Sequence, residues 1–253
     1  MSYRATGQLD KAMLLLEELM PLRKAKLGSD HPATLISMDY LAGCYWDAGQ
    51  LEKAQSLFDE TLALMNTKLG PDHPSTFKTM NNLASCYEEA KKFDKAEFLH
   101  RERLQLVKQK SGSDSPDYLG ALRSLGSNMM NQKKWTEAEA FLCDSLTIRE
   151  KTEADAWKTF NIQSLLGGAL MGQKKFADAE PLLLKGYEGM KAREEKIPPQ
   201  GSIRIPEALE RLIELYTNWH AAEPDKGYDA KAAEWQTKLN EHKAALNTEP
   251  PQQ

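Results

Sequence analysis

Leu27-Gly28-Ser29-Asp30-His31-Pro32-Ala33-Thr34 returns 42 residues later as Leu69-Gly70-Pro71-Asp72-His73-Pro74-Ser75-Thr76. The match continues downstream at the same offset, where Cys44-Tyr45 becomes Cys86-Tyr87. A fixed period of a few tens of residues is typical of stacked supersecondary units that bury a continuous core only together. The sequence therefore predicts a repeat protein.

Within each unit, apolar residues at three- and four-residue steps predict two amphipathic helices. In the first complete unit, one helix runs from Pro32 to a break at Ala48-Gly49-Gln50, and the next runs from Leu51 to Leu69-Gly70. Proline suits a first helical turn, Asp30 can cap the donors ahead of it, and glycine can take the left-handed conformation that ends a helix. The predicted unit is helix, tight turn, helix, loop.

Small residues recur where the two helices of a unit cross. They are Ala42, Ala84, Gly126 and Gly167 on the first helices, and Ala54, Ala96, Ala138 and Ala179 on the second helices. A close crossing leaves room for little more than a methyl group. Because single repeats cannot bury their apolar faces alone, we expect an all-α fold, a right-handed α-solenoid of antiparallel helix pairs.

The repeat register predicts an array at 1–196, a C-terminal region at 197–246 and a disordered tail at 247–253. The array comprises a partial first repeat at 1–26 and repeats at about 27–68, 69–110, 111–152 and 153–196. The C-terminal region comprises a Pro-rich connector and a capping helix pair, roughly 206–219 and 227–245. Since the first helix of the array has no predicted partner on one side, the chain is interpreted as a fragment of a longer protein that could self-associate through this uncapped helix.

Composition excludes several classes of function. Charged residues make up 28% of the 253 residues with a net charge of −4, which disfavours nucleic-acid binding because that needs a clustered basic surface. No apolar run is long enough to span a membrane, and the N-terminus lacks a secretory signal. Three cysteines without close spacing do not indicate a disulfide framework. We expect a cytoplasmic protein without a membrane interaction.

The candidates for chemistry are better explained by structure. His31 and His73 lie one repeat apart, whereas a zinc site needs three or four converging ligands, so loop packing and capping are favoured. Cys44 and Cys86 are flanked by core residues and are expected to be small buried hydrophobes. No serine, histidine and acid pattern indicates a nucleophile. The sequence predicts no catalytic residue, no metal site, no cofactor and no enzyme.

The 42-residue period and Leu69-Gly70-Pro71-Asp72-His73-Pro74, followed by Asn81-Asn82-Leu83-Ala84, resemble the kinesin light chain type of the tetratricopeptide repeat. This resemblance implies a superhelix of helix pairs whose first helices line a groove. It also implies that asparagines of the Asn-Asn-Leu-Ala phrase hold an extended peptide backbone. The C-terminal segment Ile203–Leu212 resembles the end of repeat arrays attached to bacterial serine/threonine kinases, although no kinase motif is present here.

The apolar stripe of each first helix predicts which side chains face the groove. They are Asp39, Tyr40 and Trp46 in one repeat, Lys78, Asn81, Asn82 and Glu88 in the next, and Arg123, Ser124 and Asn131 in the third. A column of small residues, Gly43, Ser85, Ser127 and Gly168, lies one turn beyond the asparagines. It either admits a ligand backbone or serves closer helix packing.

The predicted function is a non-catalytic protein–protein interaction scaffold that binds a peptide or a partner helix in the groove. Two alternatives stay open. The chain could be the regulatory or substrate-recruiting arm of a larger bacterial serine/threonine kinase, or it could be a structural spacer or self-association module.

Overall fold

The computed structural model describes residues 8–248, which form α-helices joined by turns and contain no strand. The helices are α1 (Leu9–Leu27), α2 (Pro32–Asp47), α3 (Leu51–Lys68), α4 (Pro74–Glu89), α5 (Phe93–Ser111), α6 (Pro116–Asn131), α7 (Trp135–Thr152), α8 (Trp157–Gly172), α9 (Phe176–Lys191), α10 (Arg204–Ala222) and α11 (Tyr228–Thr248). We call α2, α4, α6, α8 and α10 the first helices and the others the second helices. None of the described helices is long and apolar enough to cross a membrane.

The chain divides into two compact units, of which the first ends at Asn128 and the second begins at Met129, within α6. In the first unit α1 packs on α2, α2 on α3, α3 on α4, and α4 on α5. In the second unit α7 packs on α8, α8 on α9, α9 on α10, and α10 on α11. This consecutive pairing confirms the predicted all-α solenoid class. The repeat pattern gives no indication of a division inside α6.

The helix crossings confirm the reason given for the small residues. In the first unit Ala42, Ala54, Ala84 and Ala96 have no exposed surface. In the second unit a Cβ added to Gly167 would lie 2.6 Å from Cγ of Leu183 on α9, closer than two carbon atoms can approach without one of them moving. These positions therefore need the smallest side chains because the helices pack at close range.

The repeated Leu-Gly-x-Asp-His-Pro phrase, which joins one repeat to the next, caps the following helix through its histidine and not through its aspartate. Nδ1 of His31 accepts a hydrogen bond from the Ala33 amide at 3.2 Å, and Nδ1 of His73 accepts one from the Ser75 amide at 3.1 Å. Asp30 instead pairs with Lys68 at the end of α3, at 2.9 Å. The expectation that Asp30 caps α2 is therefore wrong, because the residue adjoining Pro32 is better placed to reach the first free donors.

The third copy of the phrase keeps this cap with a different residue. Ser115 stands where the earlier copies have histidine, and its Oγ accepts a hydrogen bond from the Tyr118 amide at 3.3 Å. Gly28, Gly70 and Gly112 all have positive φ, from 85° to 99°, at the ends of α1, α3 and α5. Since this region suits glycine alone, the phrase acts as a connector in all three copies.

The described ends of the chain differ slightly from the sequence prediction. Residues 1–7 of the predicted partial first repeat lie outside the described residues. At the other end α11 continues to Thr248, so the first two residues of the predicted tail are helical, and the last five lie outside the described residues. The predicted capping pair corresponds to α10 and α11, which bury Leu209, Leu212, Tyr216, Trp235 and Leu239.

Candidate partner-binding surface

The first helices of the first unit carry most of the predicted groove residues. Asp39 and Tyr40 lie on α2, Lys78, Asn81 and Asn82 lie on α4, and Arg123 and Ser124 lie on α6. We call these seven residues, which lie on three successive first helices, the first-helix surface. Hydrogen bonds, an ion–ring contact and a shared pocket connect them.

Asp39 organises the part of this surface that joins α2 to α4. Its side chain is buried, with 5% of the residue exposed, and it accepts hydrogen bonds from Thr79 Oγ1 at 2.8 Å, Lys78 Nζ at 3.1 Å and Asn82 Nδ2 at 3.4 Å. A buried carboxylate needs such partners to offset its lost hydration. Asp39 therefore lies beneath the surface and fixes the positions of Lys78 and Asn82, a role that helical periodicity does not reveal.

Tyr40 is the aromatic residue of the first-helix surface, and its side chain is exposed. It is 57% exposed, and Nζ of Lys78 lies 4.9 Å from the centroid of its ring. An ammonium group at this distance from an aromatic face is attracted by the ring quadrupole. The pair leaves an exposed phenol ring and a partly exposed cation side by side on adjacent repeats.

A pocket of about 310 Å³ opens next to this pair between α4, α5 and α6. Its walls are formed by Pro74, Phe77, Lys78 and Asn81 of α4, Arg103 of α5, and Asp117, Gly120, Arg123 and Ser124 of α6. The volume is at the lower end for ligand pockets. It holds one side chain or a small ion, and it brings together four of the residues predicted from the sequence.

Arg103 is a pocket residue that the sequence did not predict. Its Nε atom is buried without a hydrogen-bond partner among the described residues. Burial lowers the pKa of its guanidinium, and the nearby Asp117 carboxylate opposes that shift. The repeat register contains the signal that could have found it, because the equivalent positions of α3, α7 and α9 hold the small residues Thr61, Ser145 and Gly186. At this position of α5 a large cation therefore replaces the small residue of those three helices.

Glu88 and Trp46 are engaged in contacts between helices. Oε1 of Glu88 accepts a hydrogen bond from Asn128 Nδ2 at 2.8 Å and lies 3.3 Å from Nε2 of the buried His100. Nε1 of Trp46 donates a hydrogen bond to Glu89 Oε2 at 2.7 Å. These side chains connect neighbouring helices of the first unit, so we leave them out of the first-helix surface.

The remaining predicted residues divide between the two units. Asn131 is exposed at the end of α6 and belongs to the second unit. At Gly43 an added Cβ would meet no heavy atom within 4 Å, whereas at Gly168 it would lie 2.9 Å from Met130 Cε and 3.3 Å from Arg211 Cδ. The small residue at Gly168 thus serves packing, and Gly43 leaves open space on α2.

The described residues give little indication of reaction chemistry. Within residues 8–248 no group of three or more His, Cys, Asp or Glu side chains could hold a metal ion. Burial raises the pKa of the Cys86 thiol to about 11, which keeps it protonated and unreactive near neutral pH. Cys86 has no exposed surface, which agrees with its predicted place in the core.

Comparison with known proteins supports the fold. The family model described as tetratricopeptide repeat matches residues 1–67 and 38–109. No curated protein matches the sequence significantly.

Three solved structures share the architecture. A kinesin light chain-like protein of Podosopora anserina with nearly identical TPR-like repeats is 24% identical, with a TM-score of 0.68 over 76% of this chain and 92% of that chain. BtubC (BKLC) from P. vanneervenii is 18% identical, with a TM-score of 0.67 over 97% of this chain and 93% of that chain. A Rap protein complexed with competence and sporulation factor is 13% identical, with a TM-score of 0.56 over 95% and 72%.

At these identities the structural similarity concerns the fold alone. Repeat solenoids present extended surfaces to protein partners, so the fold is that of a protein-interaction scaffold. Residues 1–109 match the tetratricopeptide repeat family model, and the chain as a whole shares its fold with solved repeat proteins such as BtubC from P. vanneervenii.

Proposed function

We propose that the chain is a non-catalytic interaction module that binds an extended segment of a partner protein along the first-helix surface. The observation that carries the proposal is the pocket shared by α4, α5 and α6, which lies beside the exposed Tyr40–Lys78 pair. An exposed aromatic ring next to a pocket is a favourable anchor for a partner side chain.

The polar groups of this surface suit a peptide backbone. Asn81 lines the pocket, and Asn82 is held by Asp39. A side-chain amide both donates and accepts hydrogen bonds, which matches the alternating groups of an extended chain. The complex of a Rap protein with competence and sporulation factor is consistent with ligand binding by this fold, but it supplies no residue of this site.

A peptide selection followed by mutagenesis tests the proposal. A random peptide library is selected on the full chain, and the affinity of the recovered peptides is measured for Tyr40→Ala, Asn81→Ala and Arg123→Ala. The matched control is Phe98→Ala, because Phe98 is also an exposed aromatic residue, at 68%, but lies on the second helix α5. We expect about tenfold or greater weakening for Tyr40→Ala, as for an interfacial anchor, and no change for Phe98→Ala. Peptides that bind all four variants like the wild type would refute the proposal.

Self-association through α1 is a second candidate. Leu14, Leu15 and Leu22 of α1 are 57%, 64% and 68% exposed, and contiguous exposed apolar residues favour association. If this face pairs two copies, the mass measured by light scattering will rise with concentration for the wild type and will not for the double variant Leu15→Glu/Leu22→Glu. A wild-type monomer at all concentrations would exclude it. The kinase-arm and spacer interpretations stay predictions.

A further inference from the structure

The position of Arg103 is exceptional within the repeats. On α3, α7 and α9 the equivalent residues are Thr61 and Ser145, both without exposed surface, and Gly186. A Cβ added to Gly186 would lie 2.7 Å from the Ser164 amide nitrogen, which shows how little room the second unit leaves at this position. In the first unit the corresponding space is an open pocket that the Arg103 guanidinium lines.

The guanidinium also lacks part of its normal hydrogen bonding. Its Nε has no hydrogen-bond partner among the described residues, and a buried donor left unsatisfied destabilises a protein. Arg103 therefore costs stability at a position where the equivalent residues of α3 and α7 are threonine and serine, and its presence needs an explanation. An anion bound by the guanidinium would offset this cost.

The charges around the pocket favour an anion. Lys78, Arg103 and Arg123 line it together with one carboxylate, that of Asp117. Lys78 also pairs with Asp39 at 3.1 Å, and the pocket lining itself contains three cationic residues and one acidic residue. The pocket also includes the first residue of α4, Pro74, and helix N-termini carry partial positive charge.

We propose that the pocket between α4, α5 and α6 is an oxyanion site, in which Arg103 binds a carboxylate or phosphoryl group carried by the partner segment. The guanidinium donates from a planar fork that suits both groups. The pocket volume, about 310 Å³, is sufficient for such a group. This inference rests on the proposed function, because it assigns the chemistry of the segment that lies on the first-helix surface.

Nuclear magnetic resonance on the full ¹⁵N-labelled chain tests the site directly. The Nε–Hε signal of Arg103 is assigned by its loss in Arg103→Lys. Inorganic phosphate and the capped peptide acetyl-(Glu)₄-amide are titrated separately, with acetyl-(Gln)₄-amide as the neutral control. We expect a saturable shift of this signal with at least one anionic probe and none with the glutamine peptide. A shift with phosphate alone identifies a phosphoryl site, and a shift with the glutamate peptide identifies a carboxylate site.

Two variants separate binding from folding. Arg103→Thr introduces the residue of the equivalent position Thr61, so we expect it to fold with unchanged or higher stability and to bind the active probe about tenfold more weakly or worse. Gly120→Leu places a side chain at the pocket wall, where an added Cβ meets no heavy atom within 4 Å, and should block the probe. The matched control is Arg101→Gln on the same helix, because Arg101 pairs with Glu97 at 2.7 Å and does not line the pocket.

The possible failures can be told apart. If neither anion shifts the Arg103 signal, or if Arg103→Thr binds the probes as well as the wild type, the oxyanion site is refuted. The proposed function survives that result provided that Tyr40→Ala still weakens the selected peptides. If the probes bind in the pocket but Tyr40→Ala, Asn81→Ala and Arg123→Ala leave the peptide affinity unchanged, the proposed function fails and the anion chemistry of the pocket stands.

Discussion

Removal of the Glu88 carboxylate should destabilise the first unit more than the loss of a typical surface charge. Oε1 of Glu88 accepts from Asn128 Nδ2 at 2.8 Å and lies 3.3 Å from His100 Nε2. Asn128 is fully buried and His100 is 2% exposed. In Glu88→Ala the Asn128 amide and the His100 ring each lose this carboxylate as a partner, and each buried hydrogen bond lost in this way costs about 1–3 kcal/mol. Since the Glu88 side chain is 21% exposed, water can replace part of the loss, and we expect about 2–3 kcal/mol.

The repeat register supplies a second arm for this experiment. In the fourth repeat the positions equivalent to Glu88, His100 and Asn128 are the apolar residues Met171, Leu183 and Ala169. The triple variant Glu88→Met/His100→Leu/Asn128→Ala removes both partners of each hydrogen bond and replaces the three polar side chains with apolar ones. Replacing a whole buried polar group in this way is often neutral or stabilising, so we expect a stability within about 1 kcal/mol of the wild type.

Urea denaturation followed by circular dichroism measures both effects. Hydrogen exchange of amides in α4 and α5 assigns the loss to the first unit. The control is Glu60→Ala, which breaks the exposed pair with Lys24 at 3.1 Å and should cost less than about 1 kcal/mol. The reasoning fails if Glu88→Ala is no less stable than Glu60→Ala, or if the triple variant loses more stability than the single one.

Three further changes have effects of predictable sign, measured by urea titration. Gly43→Ala should stabilise α2 by about 1 kcal/mol, since the added Cβ meets no heavy atom within 4 Å; a loss of stability would show that the helix needs glycine there. Gly49→Ala should destabilise by about 1 kcal/mol, because φ is 74°, and unchanged stability would contradict this. Burial works to raise the pKa of Glu180, but hydrogen bonds from Tyr216 and Lys231 lower it overall. The contribution of this carboxylate to the free energy of unfolding is therefore fully present above pH about 4.3. It is lost as the pH falls through the lowered pKa. Glu180→Gln should therefore lose less stability on acidification than the wild type, and equal losses would refute the assignment.

The repeat register predicts most of the fold because the helix boundaries and helix crossings are set by local sequence patterns. The 42-residue phrase places the starts of α2 and α4 at Pro32 and Pro74, where the structure has them. Small residues at each crossing follow from the same periodicity and are confirmed at Ala42 and Ala54. Such features depend on residues near in sequence or one repeat apart, so a single chain suffices to find them.

The groups that set the chemistry of the site were harder to predict. Helical periodicity places Asp39 on the groove side of α2 but does not show that three groups from α4 hold it beneath the surface. Arg103 lies on a second helix, whereas all residues predicted for the groove lie on first helices. Both depend on the packing of one repeat against the next. A comparison of each position along the repeats would have singled out His100 and Asn128 as polar exceptions and Arg103 as a large charged residue where α3 and α7 have threonine and serine.

Hydrogen exchange of the full chain with and without a selected peptide tests the central claim most directly. The account predicts that bound peptide slows exchange in the described first helices of the first unit, Pro32–Asp47 and Pro74–Glu89, and in α6 up to Asn128. The amides of α1 and α3 should exchange at the same rate as in the free chain. Protection confined to α1 or to the second unit, with none in α2 and α4, would contradict the claim that the first-helix surface is where this chain binds its partner.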